Sequence, residues 1–309
     1  MSLLFACAGI PSEPWITAIG AALPDLDIRV WPDYGEPEDI EYALLWGDLA
    51  GEMAQFPNLK VLLSFGAGVD HILKAPDRPK HLPVIRLVDP GFQTGMAEYV
   101  IYNVLRFHRR FPEYEEQQRR GLWVEHTQIP PSSRKIGILG LGILGSACAT
   151  SLVALEFDVS GWSRSPKLLP GVTGYHGGDG LASLLAQSEI LVCLLPLTAE
   201  TEDILDRHAF ETMPRGSYLI NAGRGRHVVE EDLLEVLNSG HIAGAALDVL
   251  RTEPLPPNHP LWTHPKIRIT PHIAALVNEQ SATAIIVDTI RRLRDGKPLL
   301  NLADPARGY

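Results

Sequence analysis

A glycine-rich turn between an apolar run and a helical segment is the feature that most constrains the fold. It follows the apolar run 135–139 directly and precedes the helical stretch 146–156. The six residues of the turn are Gly140, Leu141, Gly142, Ile143, Leu144 and Gly145. In such a turn the glycines permit a tight bend, a close backbone approach to a pyrophosphate and close helix–strand packing. The pyrophosphate would bind the first N–H groups of the helix, at the positive end of its dipole. The turn therefore predicts a nucleotide-binding unit, and the alternative is a purely structural turn.

Apolar runs separated by helix-length gaps recur along the chain. Six runs between residues 135 and 270 predict a parallel, doubly wound sheet, since buried parallel strands read as continuous apolar runs. Five runs in the first hundred residues predict a second α/β sheet, and two long amphipathic segments, 95–110 and 281–295, flank the later series. The predicted fold class is α/β, with a Rossmann cofactor domain inserted in a flavodoxin-like substrate domain. The predicted boundaries are 1–98 with 283–309 for the substrate domain and 99–282 for the cofactor domain.

Charge and cysteine content restrict partners and compartment. The formal net charge is −10 at pH 7, and an acidic chain repels phosphate backbones, so we expect no nucleic-acid partner. Cys7, Cys148 and Cys193 lie in apolar surroundings without a CxxC or Cys/His cluster, which predicts buried, reduced thiols and no metal site. No stretch approaches the roughly 18 apolar residues that a spanning helix needs. We therefore expect a cytoplasmic chain with no membrane partner.

The segment after the second strand of the nucleotide unit lacks an acidic residue. NAD enzymes usually place Asp or Glu roughly 20 residues beyond the glycines, where it binds the ribose 2′-hydroxyl. Here the residues are Ser163, Arg164, Ser165, Pro166 and Lys167. Hydroxyls, a guanidinium and an ammonium suit a 2′-phosphate, which an acid would repel. The segment predicts NADP(H) in preference to NAD(H); the alternative for the two cations is that they are solvated loop charges.

Three polar segments follow later strands, at the edge where open α/β sheets bind ligands. They contain Arg224, Glu253 and His272. Together these suffice to reduce a 2-oxo acid: Arg224 can hold the carboxylate and polarise the carbonyl, and His272 can act as the acid toward the developing alkoxide. Glu253 can orient the imidazole ring and favour its protonated form. Taken singly, each has a structural alternative as a helix-entry charge, a turn acid or a core histidine.

The order and spacing of these motifs resemble the D-isomer-specific 2-hydroxyacid dehydrogenases over nearly the whole chain. Within that family the chain is most similar to bacterial glyoxylate/hydroxypyruvate reductases. The supporting segments are 42–46, 65–70, 162–164, 227–233, 253–257 and 306–309. The resemblance implies that Arg224, Glu253 and His272 are catalytic. It further implies NADPH-dependent reduction of glyoxylate and hydroxypyruvate to glycolate and glycerate by a homodimer.

The resemblance also assigns binding residues. The loop Ala67, Gly68 and Val69 would offer backbone N–H groups to the substrate carboxylate, and Trp46 would wall a small pocket. The alternatives are a plain strand-to-helix turn and a core tryptophan. The further cofactor residues are Leu195, Pro196, Thr201, Ala222, Gly223, Asp248, Ala274 and Ala275, beside Arg224 and His272. Trp123 lies where family members form a dimer arm.

Two other functions stay open from the sequence. One is an NAD(P)-dependent dehydrogenase for a larger D-2-hydroxy acid, such as lactate or a branched-chain acid, because pocket size decides between them. The other is a nucleotide-sensing, corepressor-like binding protein, because such proteins share the fold and the three polar residues.

Overall fold

Residues 1–92 with 276–309 form one α/β unit, and residues 93–275 form the other. They belong to a computed structural model that describes residues 1–47 and 53–309. The divisions predicted from the sequence, at 98 and 283, fall inside the two long helices described below. Within the described ranges, no helix combines the length and the apolar character needed to cross a membrane.

The first unit is built on a parallel sheet with the strand order β2-β1-β3-β4-β5 over its described residues. The strands are β1 (Ser2–Cys7), β2 (Asp27–Val30), β3 (Ile40–Trp46), β4 (Val61–Ser64) and β5 (Val84–Ile85). All residues of β1 and β4 are buried, as expected for strands covered on both faces. This order is that of flavodoxin-like folds, which confirms the predicted class for this unit.

The second unit carries a seven-stranded parallel sheet with the order β12-β11-β10-β9-β6-β7-β8. The strands are β6 (Lys135–Leu139), β7 (Asp158–Ser163), β8 (Val172–His176), β9 (Ile190–Cys193), β10 (Ser217–Asn221), β11 (Ile242–Leu247) and β12 (Ile267–Ile269). The order reverses between β6 and β9, as in Rossmann folds, which confirms the predicted class. The prediction of six strands was wrong. The additional strand, β8, lies at the sheet edge, is half-buried or exposed and contains Gly174, so it shows no apolar run.

Helices link the strands of both units. They are α1 (Glu13–Ala22), α2 (Asp70–Leu73), α3 (Pro90–His108), α4 (Phe111–Arg119), α5 (Ile143–Ala154), α6 (Gly177–Gln187), α7 (Arg207–Thr212), α8 (Glu230–Asn238) and α9 (Glu279–Arg294). The two long amphipathic segments form α3 and α9. Helix α3 begins before the predicted residue 95, because a proline fits the first helical turn and the Asp89 carboxylate accepts a hydrogen bond from the Gly91 N–H at 2.7 Å.

Parallel pairing decides where the loops of the second unit meet. Strands β6, β9, β10, β11 and β12 run in the same direction as their neighbours. Their carboxyl ends therefore share one edge, and the loops that follow them carry the predicted functional residues.

Candidate active site

The glycine turn after β6 forms an open cradle at the start of α5. Gly140 has a φ of +98°, which L side chains rarely adopt, and a Cβ on Gly145 would lie 1.8 Å from the carbonyl oxygen of Gly140. Gly142 precedes the first helical residue, Ile143, and a Cβ there would find no described heavy atom within 4 Å. The helix thus begins with N–H groups beside open space. This arrangement fits the pyrophosphate of a dinucleotide cofactor.

The residues predicted to contact a 2′-phosphate lie just beyond this cradle. Ser163 ends β7, and its hydroxyl donates to the carbonyl of Ser165 at 2.9 Å. Arg164 is exposed. A hydrogen bond with Thr198 holds the pKa of Glu200 below its usual range, and the charge of Arg164 adds a smaller effect in the same direction. Lys167 donates from Nζ to the carbonyl of Leu141. Arg164 and Lys167 therefore lie between the glycine turn and the loop after β9. Their positive charges suit a phosphate.

The loop after β9 is closed by its own hydrogen bonds. Thr201 is 8% exposed, and its hydroxyl donates to the carbonyl of Pro196 at 2.7 Å and accepts from the Thr198 N–H at 2.8 Å. The sequence predicts Thr201 as a cofactor residue, and its hydroxyl could donate to a cofactor phosphate only if the bond to Pro196 broke. Gly223, after β10, packs against this loop, since a Cβ on it would lie 3.1 Å from the carbonyl oxygen of Leu195. Ala222 precedes it and donates from its backbone N–H to Cys193 O at 3.2 Å.

Arg224 is held at the carboxyl end of β10. The side chain of Asn221, which is fully buried, donates to the carbonyl of Arg224 at 3.0 Å and accepts from the Gly223 N–H at 3.2 Å. The guanidinium donates from Nη1 to the Gly223 carbonyl at 2.8 Å. A Cβ on Gly225 would lie 1.9 Å from the carbonyl carbon of Leu250, so this loop and the loop after β11 are in backbone contact.

Glu253 and His272 form a hydrogen-bonded pair. His272 Nδ1 lies 2.8 Å from Glu253 Oε2, and the second carboxylate oxygen accepts from the Leu250 N–H at 2.9 Å. Burial favours a higher pKa for Glu253, but the hydrogen bonds from His272 and Leu250, with the nearby positive charges of His272 and Arg224, hold its pKa below the usual value. The carboxylate is therefore ionised at neutral pH and takes Nδ1 as its donor.

Asp248 holds His272 in an unusual backbone conformation. His272 has a φ of +57°, and non-glycine residues keep such a φ only where their surroundings enforce it. The buried Asp248 carboxylate accepts from the N–H groups of Ile273 (2.9 Å) and Ala274 (2.8 Å) and from the Thr270 hydroxyl (2.6 Å). Its backbone carbonyl accepts from the His272 N–H at 2.9 Å. The sequence pointed to Asp248 as a cofactor residue only, and no sequence signal showed that it fixes the His272 loop.

Ala274 and Ala275 end this loop with small side chains. Ala274 is buried and Ala275 is half-buried. The phenolic oxygen of Tyr99, on α3, lies 2.9 Å from the Thr270 hydroxyl, and burial raises the pKa of Tyr99 to about 12. Tyr99 is therefore a neutral partner that supports Thr270 and, through it, the Asp248 carboxylate. The structure thus brings Arg224, Glu253, His272 and Asp248 to one edge of the second sheet.

The predicted substrate loop lies in the first unit, after β4. The Ser64 hydroxyl donates to the Gly68 carbonyl at 2.8 Å and accepts from the Gly66 N–H at 3.2 Å, which fixes the turn. Val69 is buried as a whole residue, whereas Ala67 and Gly68 are half-buried and are the more accessible part of the loop. Trp46, at the end of β3, packs over the turn, since a Cβ on Gly66 would lie 2.5 Å from Trp46 Cζ3. The structure therefore places the predicted wall residue against the predicted loop.

Known proteins resemble the chain over its whole length. The family model described as "D-isomer specific 2-hydroxyacid dehydrogenase, NAD binding domain" matches residues 101–274. A D-isomer specific 2-hydroxyacid dehydrogenase of Xanthobacter autotrophicus, solved with NADPH and MES, is 43% identical with a TM-score of 0.93, over 100% of this chain and 99% of that one. An NADPH-dependent glyoxylate/hydroxypyruvate reductase of Sinorhizobium meliloti, solved with NADP and sulfate, is 35% identical with a TM-score of 0.93 over the same shares. A probable 2-hydroxyacid dehydrogenase of Rhizobium etli, solved with NADP, HEPES and L(+)-tartaric acid, is 35% identical with a TM-score of 0.90, again over 100% and 99%.

Proposed function

The chain belongs to the D-isomer-specific 2-hydroxyacid dehydrogenase family, and from that premise we propose that it reduces glyoxylate and hydroxypyruvate with NADPH. The reaction consumes a 2-oxo acid, NADPH and one proton and yields the 2-hydroxy acid and NADP⁺. The products are glycolate and glycerate. The similarity to the NADPH-dependent glyoxylate/hydroxypyruvate reductase of Sinorhizobium meliloti supports the assignment of substrate.

The observation that carries the proposal is the hydrogen bond between His272 and Glu253. Because Nδ1 faces the carboxylate at 2.8 Å, Nε2 is the nitrogen that donates the proton to the carbonyl oxygen of the substrate. The ionised Glu253 stabilises the positive charge on the ring before the transfer and keeps the ring oriented. Asp248 holds the loop on which the ring stands.

Arg224 supplies the positive charge that a 2-oxo acid requires. Its guanidinium can bind the carboxylate through two parallel hydrogen bonds and draws electron density from the neighbouring carbonyl. Asn221 and the backbone contact of Gly225 with Leu250 hold Arg224 beside the Glu253 loop. Binding and polarisation are thus assigned to Arg224, and proton donation is assigned to His272.

NADP(H) is the proposed cofactor, and when bound its nicotinamide supplies the hydride for the carbonyl carbon. The N–H groups at the start of α5 would hold the pyrophosphate, and Arg164 with Ser163, Ser165 and Lys167 would contact the 2′-phosphate. No carboxylate stands between 163 and 167 to repel that phosphate. The relatives solved with NADPH or NADP support the same preference.

In the first unit, Trp46 and residues 67–69 are proposed to contact the substrate and to limit its size. The indole covers the Gly66 turn, which is consistent with a preference for two- and three-carbon acids. A homodimer is also part of the proposal. Leu122, Trp123 and Val124 follow α4 and are 45%, 97% and 53% exposed, an apolar surface that a second copy would cover. We place the enzyme in the cytoplasm, where its buried thiols stay reduced.

Four assays test the proposal by following the absorbance of the reduced cofactor. NADPH or NADH is combined with glyoxylate or hydroxypyruvate at equal concentrations. We expect rapid oxidation of NADPH with both acids and slow oxidation of NADH. If none of the four assays shows turnover, larger 2-oxo acids are assayed in the same way, and turnover only with these would overturn the substrate assignment. Tight NADPH binding without turnover of any 2-oxo acid would instead favour a nucleotide-sensing protein.

A further inference from the structure

His227 is a fully buried histidine that no step of the proposed reaction uses. It is 0% exposed and lies three residues after Arg224, in the turn that follows β10. An aliphatic residue would fill the same space without burying polar atoms, and buried polar groups are costly unless they are hydrogen-bonded. The bonds that His227 makes should therefore account for its presence.

Both ring nitrogens of His227 have backbone partners. Nδ1 lies 3.1 Å from the backbone nitrogen of Arg224, which can only donate, so Nδ1 accepts. Nε2 lies 3.3 Å from the carbonyl oxygen of Pro196, which can only accept, so Nε2 carries the proton. These two partners together specify one neutral tautomer of the imidazole.

The surroundings are consistent with the neutral ring. The sulfur of Cys193 lies 3.6 Å from Nδ1, and burial raises the pKa of the Cys193 thiol to about 12, so no thiolate favours a charged imidazole. A Cβ on Gly223 would lie 3.1 Å from Nδ1 and 3.2 Å from Cε1. The ring is therefore tightly packed, with its plane fixed between the loops after β9 and β10.

We propose that His227 is a positioning residue that sets the backbone of the substrate-binding Arg224 and ties it to the Pro196 loop on the cofactor side. The proposal rests on the proposed function of Arg224. Asn221 binds the carbonyl of Arg224 and His227 binds its N–H, so the backbone of the arginine is held on both sides. Pro196 O accepts from both Thr201 and His227, so the same imidazole also closes the loop after β9.

Two conservative variants separate the two hydrogen bonds. In His227→Asn the side-chain oxygen can take the place of Nδ1 and accept from Arg224, but nothing reaches Pro196. In His227→Gln the amide nitrogen can take the place of Nε2 and donate to Pro196, but the Arg224 N–H loses its acceptor. His227→Leu removes both bonds and keeps a side chain of similar bulk.

Three quantities are measured on the full chain: KM for glyoxylate, the Kd of oxalate for the NADPH complex by calorimetry, and the Kd of NADPH for the cofactor-free enzyme by fluorescence. His227→Gln should raise the glyoxylate KM and the oxalate Kd about tenfold, the effect of leaving a buried donor unpaired, with the NADPH Kd within about twofold of wild type. His227→Asn should show the reverse pattern, with the larger change in the NADPH Kd. His227→Leu should show both changes.

The contrary outcomes are distinct. If His227→Asn and His227→Gln lower kcat and thermal stability alike while KM and both Kd values stay at the wild-type level, His227 only fills space and the inference is wrong. If His227→Leu fails to fold, the comparison of His227→Asn with His227→Gln still tests the inference. If the wild-type enzyme reduces no 2-oxo acid, the proposed function fails and this inference falls with it, whereas failure of the variants alone leaves the proposed function standing.

Discussion

Nδ1 of His272 lies 2.8 Å from Oε2 of Glu253, and this pair joins the loops that follow β11 and β12. The two loops are also joined through Asp248, whose carboxylate accepts from the N–H groups of Ile273 and Ala274. The Glu253 carboxylate thus orients the imidazole ring of His272, and the Asp248 carboxylate fixes the backbone of the loop that carries this ring.

The Glu253–His272 pair should make stability depend on pH in the acid range. The pKa of Glu253 is held below its usual value, because the bonds from His272 and Leu250 and the nearby positive charges outweigh the effect of burial. A lowered pKa in the folded state stabilises the protein fully above the unfolded pKa of about 4.3, and this contribution is lost as the pH falls through the folded-state pKa. The stability advantage of wild type over Glu253→Gln, measured by urea unfolding, should shrink as the pH falls from 5 to 3. A constant difference down to pH 3 would contradict the pairing.

Replacing Asp248 should release the His272 loop. In Asp248→Asn one of the oxygens that bind the N–H groups of Ile273 and Ala274 becomes a donor, which leaves a buried N–H unpaired. We expect the free energy of unfolding to fall by about 1–3 kcal/mol and kcat to fall at least about tenfold. Thr270→Val is the matched control, because it removes the hydroxyl bonds to Asp248 and Tyr99 but leaves the carboxylate bonded to both N–H groups, so it should cost less of kcat. Equal losses in the two variants would contradict the role of the carboxylate.

Arg164 should determine the choice of cofactor. Arg164→Ala should raise the Kd of NADPH by about tenfold or more and leave the Kd of NADH unchanged, because only NADPH carries the 2′-phosphate. Ser163→Asp should reverse the preference by placing an acid where NAD enzymes have one. Arg207→Ala, which removes an exposed arginine on α7, controls for net charge. Equal weakening of both nucleotides would show that Arg164 does not read the phosphate.

Two glycines of the turn after β6 should respond differently to alanine. A Cβ on Gly142 would enter open space, so Gly142→Ala should fold with wild-type stability but bind NADPH at least about tenfold more weakly. A Cβ on Gly145 would lie 1.8 Å from the backbone oxygen of Gly140, so Gly145→Ala should be destabilised. Thermal melting and NADPH titration separate the two effects. Wild-type NADPH affinity in Gly142→Ala would show that the cofactor does not approach this glycine.

Much of the fold and of the candidate site can be predicted from local patterns in the sequence. The glycine turn lies between an apolar run and a helical pattern, so Gly140 and its neighbours could be placed at a strand end without coordinates. Parallel strands end at a common edge, which is why Arg224 and His272 could be expected together although 48 positions separate 224 from 272. These predictions need only periodicity and the rules of parallel sheets.

Other features depend on tertiary contacts that no local pattern encodes. Strand β8 is a polar edge strand whose pairing with β7 determines its conformation, so the apolar-run criterion missed it. The hydrogen bond between Asp248 and Ala274 joins residues 26 positions apart, and that between His227 and Pro196 joins residues 31 positions apart. A buried aspartate and a buried histidine read as ordinary polar residues until their partners are known. The one local signal for His227 is that it directly precedes the apolar pair Val228 and Val229 in the turn after Arg224.

The role of His272 as proton donor is tested most directly by a single-turnover experiment on His272→Gln. Wild type and variant, each saturated with NADPH, are mixed with excess glyoxylate, and the decay of NADPH absorbance is followed by stopped flow. The variant should bind NADPH as wild type does and oxidise it about 10²–10⁴ times more slowly, the range for loss of a general acid. Oxidation at the wild-type rate by the variant would contradict the assignment of His272 as the proton donor.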